Sequence, residues 1–380
     1  MRPPAPSCTR AGALLALVLA VLSTLVAAVP ASAEVTLPVG FTDRVVTSTI
    51  TNPTDIEFAP DGRLFVAEQA GRVLIVQSDG SVLVFLDISA KVDATAERGL
   101  ASIAFDPNFA SNRYVYLDYT KEATATAGPH NRVVRVTANG DRAIAGSETL
   151  IFRLNAQDSA NHIGGAIDFG VDGKLYISTG DGVGGNSHLR SNLLGKLLRI
   201  NRSGSIPTNN PFYNSASGKS RAIWLLGFRN PFKFAVEPGV GTIYVNDVGE
   251  DAWEEIDRAV KGANYGWRLY EGPESDPAYA DPLFAYGHDG DPATTGCSIT
   301  GGAFYAPATG QFPASFTGDY FFADFCAGWI RAYDRASGVA SPFLSGASLV
   351  VDVEIASDGT LFYLTRGASA SVHAVSYAAP

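Results

Sequence analysis

Short runs of alternating apolar and polar residues, rather than helical periodicity, organise the chain beyond its first thirty residues. Outside that first segment, only "AWEEIDRAV" hints at apolar residues spaced three and four apart, so the pattern predicts strands. A phrase recurs in which a strand rich in β-branched and aromatic residues leads through a turn into a second such strand. Copies of this phrase begin at Asp55, Leu100, Ala166, Lys233, Gly301 and Val353.

Repeated strand–turn–strand units without helices predict an all-β fold, a β-propeller rather than a sandwich. The spacing between copies is irregular, and the repeats alone are compatible with five to seven blades. The segment "GFTDRVVTSTI", residues 40–50, reads as a lone strand that closes the ring against the last blade. The loops between blades carry most of the Asn, Gly and charged residues, so we expect function to reside there.

The first 33 residues have the features of a secretory signal peptide. Arg2 and Arg10 precede an apolar run, residues 11–29, and "ASA" ending at Ala33 is an A-x-A cleavage site. The apolar run is about long enough to cross a bilayer, so an uncleaved anchor is the alternative. We therefore expect an exported protein, secreted or held in the cell envelope. Its mature chain, residues 34–380, is predicted to form a single propeller domain without a membrane span.

Charge and cysteine content narrow the partners and the compartment. Without the two signal-peptide arginines, 26 basic residues stand against 38 acidic ones, a net charge of −12. This disfavours nucleic acids and anionic membrane surfaces as partners. Cys297 and Cys326 remain in the mature chain, and one disulfide is the expected state of two cysteines in an exported protein. In the chain-entropy model, closing that loop stabilises the fold by about 3 kcal/mol.

The strongest candidate for chemistry is "NHIGGAIDFGVDGKLYISTGDG", residues 161–182. Asp172 and Gly173 lie between two strand-like segments and predict a hairpin with a tight turn. A hairpin returns the chain to its starting edge, so His162 before the first strand and Asp181 after the second are expected to lie close together. A carboxylate beside an imidazole is a general-base arrangement. The alternative is a loop histidine hydrogen-bonded to an Asx-turn at Asp181.

Two further segments carry polar residues that suit a ligand site. In "GFRNPFKF", Arg229 and Asn230 stand side by side, a combination suited to a developing oxyanion. The alternative for Arg229 is a structural ion pair between blades. In "AERGLASIAF", Glu97 and Arg98 precede a strand, and they either face a central pocket or pair with one another.

The segment "GEDAWEEIDRAVKGANYGW", residues 249–267, is rich in oxygen ligands. Glu255 and the backbone carbonyls near Gly249, Glu250 and Tyr265 are predicted to surround a hard cation such as Ca²⁺. The spacing is not that of an EF-hand loop, and a solvated acidic turn is the alternative. The sequence contains no nucleophile elbow, Walker loop or dinucleotide fingerprint, which argues against serine-hydrolase, nucleotide and NAD chemistry.

Taken in order, these segments resemble the soluble glucose/sorbosone dehydrogenase family, the PQQ-dependent aldose dehydrogenases. The resemblance covers nearly the whole mature chain and rests on "NPTDIEFAPDGRLFVAEQAGRV", "ERGLASIAFDPNFASNRYVYLDYT", "HIGGAIDFGVDGKLYISTGDG", "GFRNPFKF", "EEIDRAVKGANYGW" and "CSITGGAFY…GDYFFADFCAGWI". It implies a six-bladed β-propeller that binds the cofactor PQQ (pyrroloquinoline quinone) and a sugar at the centre of one face. An external electron acceptor would then reoxidise the cofactor.

The resemblance also implies roles for individual residues. His162 would take the proton of the anomeric hydroxyl while hydride passes to PQQ, Asp181 would orient His162, and Arg229 would stabilise negative charge. The cysteine pair matches one found in a branch of the family, which supports the disulfide. The implied cofactor-binding residues are Glu97, Asn161, His162, Arg229 and Asn230. Of the predicted Ca²⁺ positions, Glu255 and the region of Tyr265 match those of the family.

The chain departs from the family pattern where basic side chains are expected to hold PQQ, which is a tricarboxylate. A lysine expected near Cys326 is absent, and Leu349 and Val351 stand where two arginines are expected. Glu97 occupies a position that is glutamine in the family. A buried carboxylate without a partner is costly, so PQQ binding is predicted to be weakened.

Other cations are available to replace the missing ones: Arg98, Lys233 and Arg366, if they face the pocket. The leading interpretation is oxidation of an aldose to its lactone. A catalytically silent propeller that binds a carbohydrate or a protein is the main alternative. A propeller hydrolase or lactonase with a central metal is the third, and it needs inward-facing carboxylates.

Overall fold

Six small antiparallel sheets arranged in a ring form the fold of the computed structural model, which describes residues 35–185 and 187–379. The predicted signal peptide, residues 1–33, lies outside the described residues. Among the described residues, helix is confined to α1 (Phe109–Asn112) and three short 3₁₀ turns at Ser89–Lys91, Gly218–Ala222 and Ala314–Phe316. Within the described ranges, no helix has the length and apolar character needed to span a bilayer.

The sheets are the blades of a propeller, which we number from the N-terminal side. Blade one contains β2 (Pro53–Phe58), β3 (Leu64–Glu68), β4 (Arg72–Val76) and β5 (Val82–Asp87). Blade two contains β6 (Leu100–Phe105), β7 (Tyr114–Lys121), β8 (His130–Asn139), β9 (Arg142–Ala143) and β10 (Thr149–Ala156). Blade three contains β11 (Gly164–Phe169), β12 (Leu175–Thr179), β13 (Lys196–Ile200) and β14 (Ile223–Leu226).

The second half of the chain forms the other three blades. Blade four contains β15 (Pro231–Val236), β16 (Ile243–Asp247), β17 (Trp253–Arg258) and β18 (Phe284–Gly287). Blade five contains β19 (Ile299–Phe304), β20 (Tyr320–Asp324), β21 (Trp329–Asp334) and β22 (Val339–Ser345). Blade six contains β23 (Val350–Ile355), β24 (Leu361–Thr365), β25 (Ser371–Tyr377) and, from the N-terminal end, β1 (Phe41–Thr47).

The ring closes as the sequence predicts. Each inner strand contacts the inner strand of the next blade, and β23 of blade six contacts β2 of blade one. β1 completes blade six by pairing antiparallel with β25, from Phe41 opposite Tyr377 to Val45 opposite His373. Each copy of the sequence phrase begins at the inner strand of one blade. The segment "AWEEIDRAV" is a strand too, β17, because it pairs with β16 on one side and β18 on the other.

Apolar side chains fill the spaces between blades. Strands such as β12 are buried at every position because both faces of the sheet are covered. Between blades one and two, Phe65 packs edge-to-face against Phe105, with ring centroids 4.9 Å apart. This packing fixes the blades and leaves the inner strands facing a central channel.

An ion cluster crosses the central channel. Lys233 on β15 donates hydrogen bonds to Asp55 on β2 and, at 2.7 Å, to Asp352 on β23, and all three side chains are buried. Lys233 lines a cavity of about 460 Å³ on one side and another of about 330 Å³ on the other. The blades that this cluster joins are one, four and six.

Candidate active site

The 460 Å³ cavity gathers most of the residues singled out in the sequence, and its volume is in the range of small-molecule sites. It is lined by loops and strand ends at one face of the ring. The predicted residues on its wall are Glu97, His162, Arg229, Asn230, Gly249 and Glu250. Asp181 lies behind His162. Asn161 is exposed and does not contribute to this wall.

The predicted hairpin brings His162 and Asp181 together. β11 and β12 pair antiparallel, with Ile167 opposite Ile177, and His162 Nδ1 lies 2.8 Å from Asp181 Oδ1. The approach is tight: a Cβ on Gly180 would lie 2.0 Å from the His162 carbonyl oxygen, so only glycine fits there. The glycine of "TGDG" that precedes Asp181 therefore allows the chain to pass close to the backbone of His162.

Three donors hold the Asp181 carboxylate, which is 2% exposed. Oδ1 accepts hydrogen bonds from the His162 ring and from the Val183 backbone at 2.8 Å, and Oδ2 accepts one from Trp267 Nε1 at 3.0 Å. Burial acts to raise the pKa of Asp181, but hydrogen bonds from His162, Trp267 and the Val183 N–H outweigh it and lower that pKa below its ordinary value. An ionised Asp181 fixes the proton of His162 on Nδ1 and leaves Nε2 as the proton acceptor.

Trp267, the last residue of "NYGW", is part of the site although it was assigned no role from the sequence pattern. Its indole N–H donates to Asp181, and the guanidinium of Arg229 lies over its ring, 5.5 Å from the centroid. Its backbone N–H donates to Gly227 O at 3.0 Å, next to the "GFRN" turn. One buried side chain thus contacts both the carboxylate partner of His162 and Arg229.

Glu97 is held by donors from two blades and does not pair with Arg98. Glu97 Oε2 accepts hydrogen bonds from the His162 N–H at 2.9 Å and from Asn230 Nδ2 at 3.2 Å. Arg98 is turned away from the cavity and donates to Asp93 at 3.1 Å and to Gln157 O at 2.7 Å. Arg98 is therefore not a replacement for the missing cavity cations.

The backbone of Arg229 and Asn230 is fixed by Asp247 at the end of β16. Its two carboxylate oxygens accept the N–H groups of Arg229 and Asn230 at 2.9 and 2.7 Å. Arg229 Nη1 donates to Val248 O at 3.0 Å, while its buried Nε has no partner among the described residues. The Nε–H group of Arg229 is therefore a hydrogen-bond donor that the described residues leave unused.

Asp247 also belongs to a buried cluster with Glu255 and Asp257. Ligand oxygens of the three carboxylates lie within 4.8 Å of one another, and neither oxygen of the fully buried Asp257 has a partner among the described residues. Burial and repulsion by Glu255 raise the pKa of Asp247 and Asp257, and burial raises the pKa of Glu255 to about 7. Carboxylate oxygens are the ligands that Ca²⁺ prefers, so these residues fit a Ca²⁺ ion.

The residues predicted for Ca²⁺ fall in different places. Glu255 is in the carboxylate cluster, whereas Gly249 and Glu250 line the cavity. The Tyr265 ring stacks on Phe228 and its hydroxyl donates to Arg258 O. Sequence reasoning missed Asp247 and Asp257: Asp257 belongs to the acidic segment that it selected, residues 249–267, whereas Asp247 lies two residues before that segment.

The predicted disulfide is confirmed, and it stands where a lysine was expected. Cys297 and Cys326 are bonded, and Cys297 lines the cavity. Asp324 accepts the backbone N–H groups of both cysteines, at 3.0 and 2.9 Å, and so orders both loops. Val351 lines the cavity as an apolar residue, while Leu349 lies outside its wall.

Three cations line the cavity: Arg229, Lys233 and Arg366. Lys233 is already neutralised by Asp55 and Asp352. Neither arginine is in ion-pair contact with a carboxylate among the described residues. The cavity thus offers two cations to an anionic ligand, and this donor set fits a carboxylate-bearing cofactor such as PQQ.

Comparison with known proteins identifies a matching family. The family profile "Glucose / Sorbosone dehydrogenase" matches residues 50–373. HIPL2 protein of Arabidopsis thaliana is 30% identical over 352 residues. The match covers 70% of this chain and 50% of the length of HIPL2. Quinoprotein glucose dehydrogenase B of Acinetobacter calcoaceticus is 29% identical over 268 residues. That match covers 63% of this chain and 55% of the length of the dehydrogenase. The chain thus spans about half the length of these curated relatives.

A solved structure shows the same fold. The soluble aldose sugar dehydrogenase of Escherichia coli, in its apo form, superposes with a TM-score of 0.79 at 24% identity. The superposition covers 89% of this chain and all of the other.

Proposed function

Because the chain belongs to the glucose/sorbosone dehydrogenase family, we propose that it is an exported, PQQ-dependent dehydrogenase that oxidises an aldose to its lactone. The observation that carries the proposal is the buried His162–Asp181 pair beside a cavity that also presents Arg229 and Asn230. An imidazole held by an ionised carboxylate is suited to remove a proton from a hydroxyl group. The physiological electron acceptor is external to the chain.

In this mechanism His162 is the base. Its Nε2 accepts the proton of the anomeric hydroxyl as the hydrogen on the same carbon leaves with its electron pair, which leaves a carbonyl and hence the lactone. Asp181 stabilises the imidazolium that forms, because it is ionised and bonded to Nδ1. When bound, PQQ supplies the hydride acceptor. Arg229 and Asn230 are the residues proposed to hold its quinone oxygens.

The carboxylate cluster is the proposed Ca²⁺ site. Asp247, Glu255 and Asp257 would hold the ion, and Asp247 also accepts the backbone N–H groups of Arg229 and Asn230. A cation there would keep Asp247 ionised and so preserve these two hydrogen bonds. The ion's proposed role is to position Arg229 and Asn230.

The test is a titration of PQQ into the purified, Ca²⁺-loaded mature chain, followed by calorimetry and quinone absorbance. We expect saturable binding, and bleaching of the quinone when an aldose is added. His162→Ala should abolish bleaching while the melting temperature and PQQ affinity stay near the wild-type values. His130→Ala, in blade two, is the matched control and should turn over normally. Full turnover by a folded His162→Ala variant would refute the assignment of the base.

A binding module without redox chemistry is the second candidate. It is favoured by Glu97 and Glu250 on the cavity wall and by apolar Val351 where a cation was expected. In that case the same calorimetry would detect a sugar but not PQQ. The two functions therefore predict opposite results in one experiment.

A further inference from the structure

Arg366, the residue after β24, is a cavity-lining cation that has no counter-ion among the described residues. Arg366 lines the cavity, and no carboxylate among the described residues lies within ion-pair distance of its guanidinium. Its backbone N–H donates to Leu349 O at 3.0 Å, which ties it to the segment preceding β23. Removal from water lowers the pKa of Arg366, and no neighbouring acid offsets this effect.

A neutral side chain holds the guanidinium in place. Arg366 Nη2 donates to Gln69 Oε1. Gln69 is buried, and its Nε2 donates to Ala96 O at 2.6 Å and Arg98 O at 2.7 Å. Because these two carbonyls accept only from the amide nitrogen, Oε1 must face Arg366. The arginine is thus positioned by a neutral partner, and among the described residues its guanidinium makes one side-chain hydrogen bond and no ion pair.

Lys233 provides the contrast. Asp55 and Asp352 raise the pKa of Lys233 despite its burial, so its charge is already compensated within the protein. A charge withdrawn from water without such compensation is costly. An anion that enters the cavity and contacts Arg366 would remove that cost.

We propose that Arg366 binds a carboxylate of the cavity's ligand and takes the place of the basic side chains expected at Leu349 and Val351. The positive charge then comes from Arg366, which follows β24, whereas the expected arginines would lie on or just before β23, the neighbouring strand. The planar fork of an arginine suits a carboxylate through two parallel hydrogen bonds. Only the choice of PQQ as that ligand rests on the proposed function, because the unpaired charge is a property of the protein itself.

The experiment compares the wild type with Arg366→Gln and Arg366→Lys, using two probes in calorimetry. PQQ is one probe, and isophthalate, a planar dicarboxylate without a quinone, is the other. We expect Arg366→Gln to weaken both probes at least about tenfold and Arg366→Lys to weaken them less, since lysine keeps the charge but loses the fork. Arg44→Gln, on the exposed face of β1, is the matched control and should bind as the wild type does. Melting temperatures establish that each variant is folded.

The outcomes separate this inference from the proposed function. Isophthalate binding that is lost in Arg366→Gln, together with no PQQ turnover in the wild type, supports the anion site and contradicts the dehydrogenase. Equal binding of both probes by the wild type and a folded Arg366→Gln variant overturns the inference. It is also overturned if neither probe binds the wild type. Should Arg366→Gln fail to fold, Arg366→Lys decides: unchanged affinity for PQQ and isophthalate would contradict a two-bond carboxylate contact.

Discussion

At the scale of single residues, the direction of the Asp181 carboxylate decides whether His162 acts as a base. His162 Nδ1 and the Val183 N–H bind one oxygen, and Trp267 is the partner of the other among the described residues. A hydrogen bond to an ionised group contributes more than a neutral one, about 1.5–3 kcal/mol. Loss of the indole N–H should therefore free the carboxylate to rotate and raise the pKa of Asp181.

The corresponding prediction concerns Trp267→Phe, which keeps an aromatic ring under Arg229 but removes the N–H. We expect kcat to fall about tenfold or more with little change in KM, because the ring still packs and the base is less well oriented. The acid limb of the pH–rate profile should move to higher pH, as protonated Asp181 cannot orient His162. Trp224→Phe, whose ring packs against Arg199, is the control and should leave the profile unchanged. An unshifted profile in Trp267→Phe would argue that the indole serves packing only.

Whether a contact in this site can be predicted from the sequence depends on how far apart the two residues lie along the chain. His162 and Asp181 are 19 residues apart and joined by one hairpin, so turn chemistry alone predicts their meeting. Trp267 is 86 residues from Asp181, and their contact depends on the packing of neighbouring blades. No local pattern encodes that contact, and a lone tryptophan after glycine has no periodic signature. The orientation of Arg366 is hidden for the same reason.

At the scale of elements, the segment from the end of β16 through β17 concentrates buried negative charge. Asp247, Glu255 and Asp257 face one another, although two strands of a sheet rarely bury three carboxylates together. The sequence identified residues 249–267 as an acidic stretch, but it did not indicate which acidic side chains of this region face inward. The reason is that both β17 faces are covered, which removes the usual distinction between core and solvent sides.

Asp257→Asn tests whether this cluster holds Ca²⁺. Replacement of one carboxylate by an amide should weaken Ca²⁺ binding about tenfold or more, measured by calorimetry, because the site loses a charged ligand. In chelator at pH 8, the variant should melt at a higher temperature than the wild type, since repulsion within the cluster is reduced.

Asp289→Asn, an exposed substitution, is the matched control for that comparison. It should change neither Ca²⁺ affinity nor the melting temperature measured in chelator. Unchanged Ca²⁺ affinity in Asp257→Asn would place the ion elsewhere.

At the scale of the whole molecule, the ring is joined at its centre by the Asp55–Lys233–Asp352 cluster. The repeats predict a propeller, but their irregular spacing left five to seven blades open, because blade number is set by the geometry of closure. In the structure, closure brings blades one, four and six together on Lys233. Polar residues on inner strands are not distinguishable in the sequence from ordinary strand ends.

Removal of Lys233 should expose how costly this cluster is to break. Lys233→Met leaves Asp55 and Asp352 buried without a cation, and loss of one partner of a buried pair typically costs about 3–5 kcal/mol. We expect a marked drop in the denaturant midpoint. The triple variant that adds Asp55→Asn and Asp352→Asn should recover much of the loss, because no uncompensated charge remains. Equal stability of the single and triple variants would contradict this account.

The distribution of buried carboxyls predicts how the stability of the whole ring depends on pH. Burial raises the pKa of Asp168 to about 7 and that of Asp118 to about 8. Their unfolded values lie near 4, so between about pH 4 and 8 the folded chain binds more protons than the unfolded chain. Since stability falls with pH wherever the native state holds more protons, it should be greatest at the acidic end of this window and lost as pH rises through 7 and 8.

The measurement is the melting temperature in chelator from pH 5 to pH 9. We expect a steady decrease. Each additional proton bound by the folded state lowers the free energy of unfolding by about 1.4 kcal/mol per pH unit as the pH rises. Asp118→Asn should flatten the upper part of the curve, because Asp118 is fully buried and neither of its oxygens has a partner among the described residues. A melting temperature that stays constant or rises toward pH 9 would mean that these carboxyls are already ionised in the folded ring. The cost of their burial would then have to be met by cations that bind between the blades.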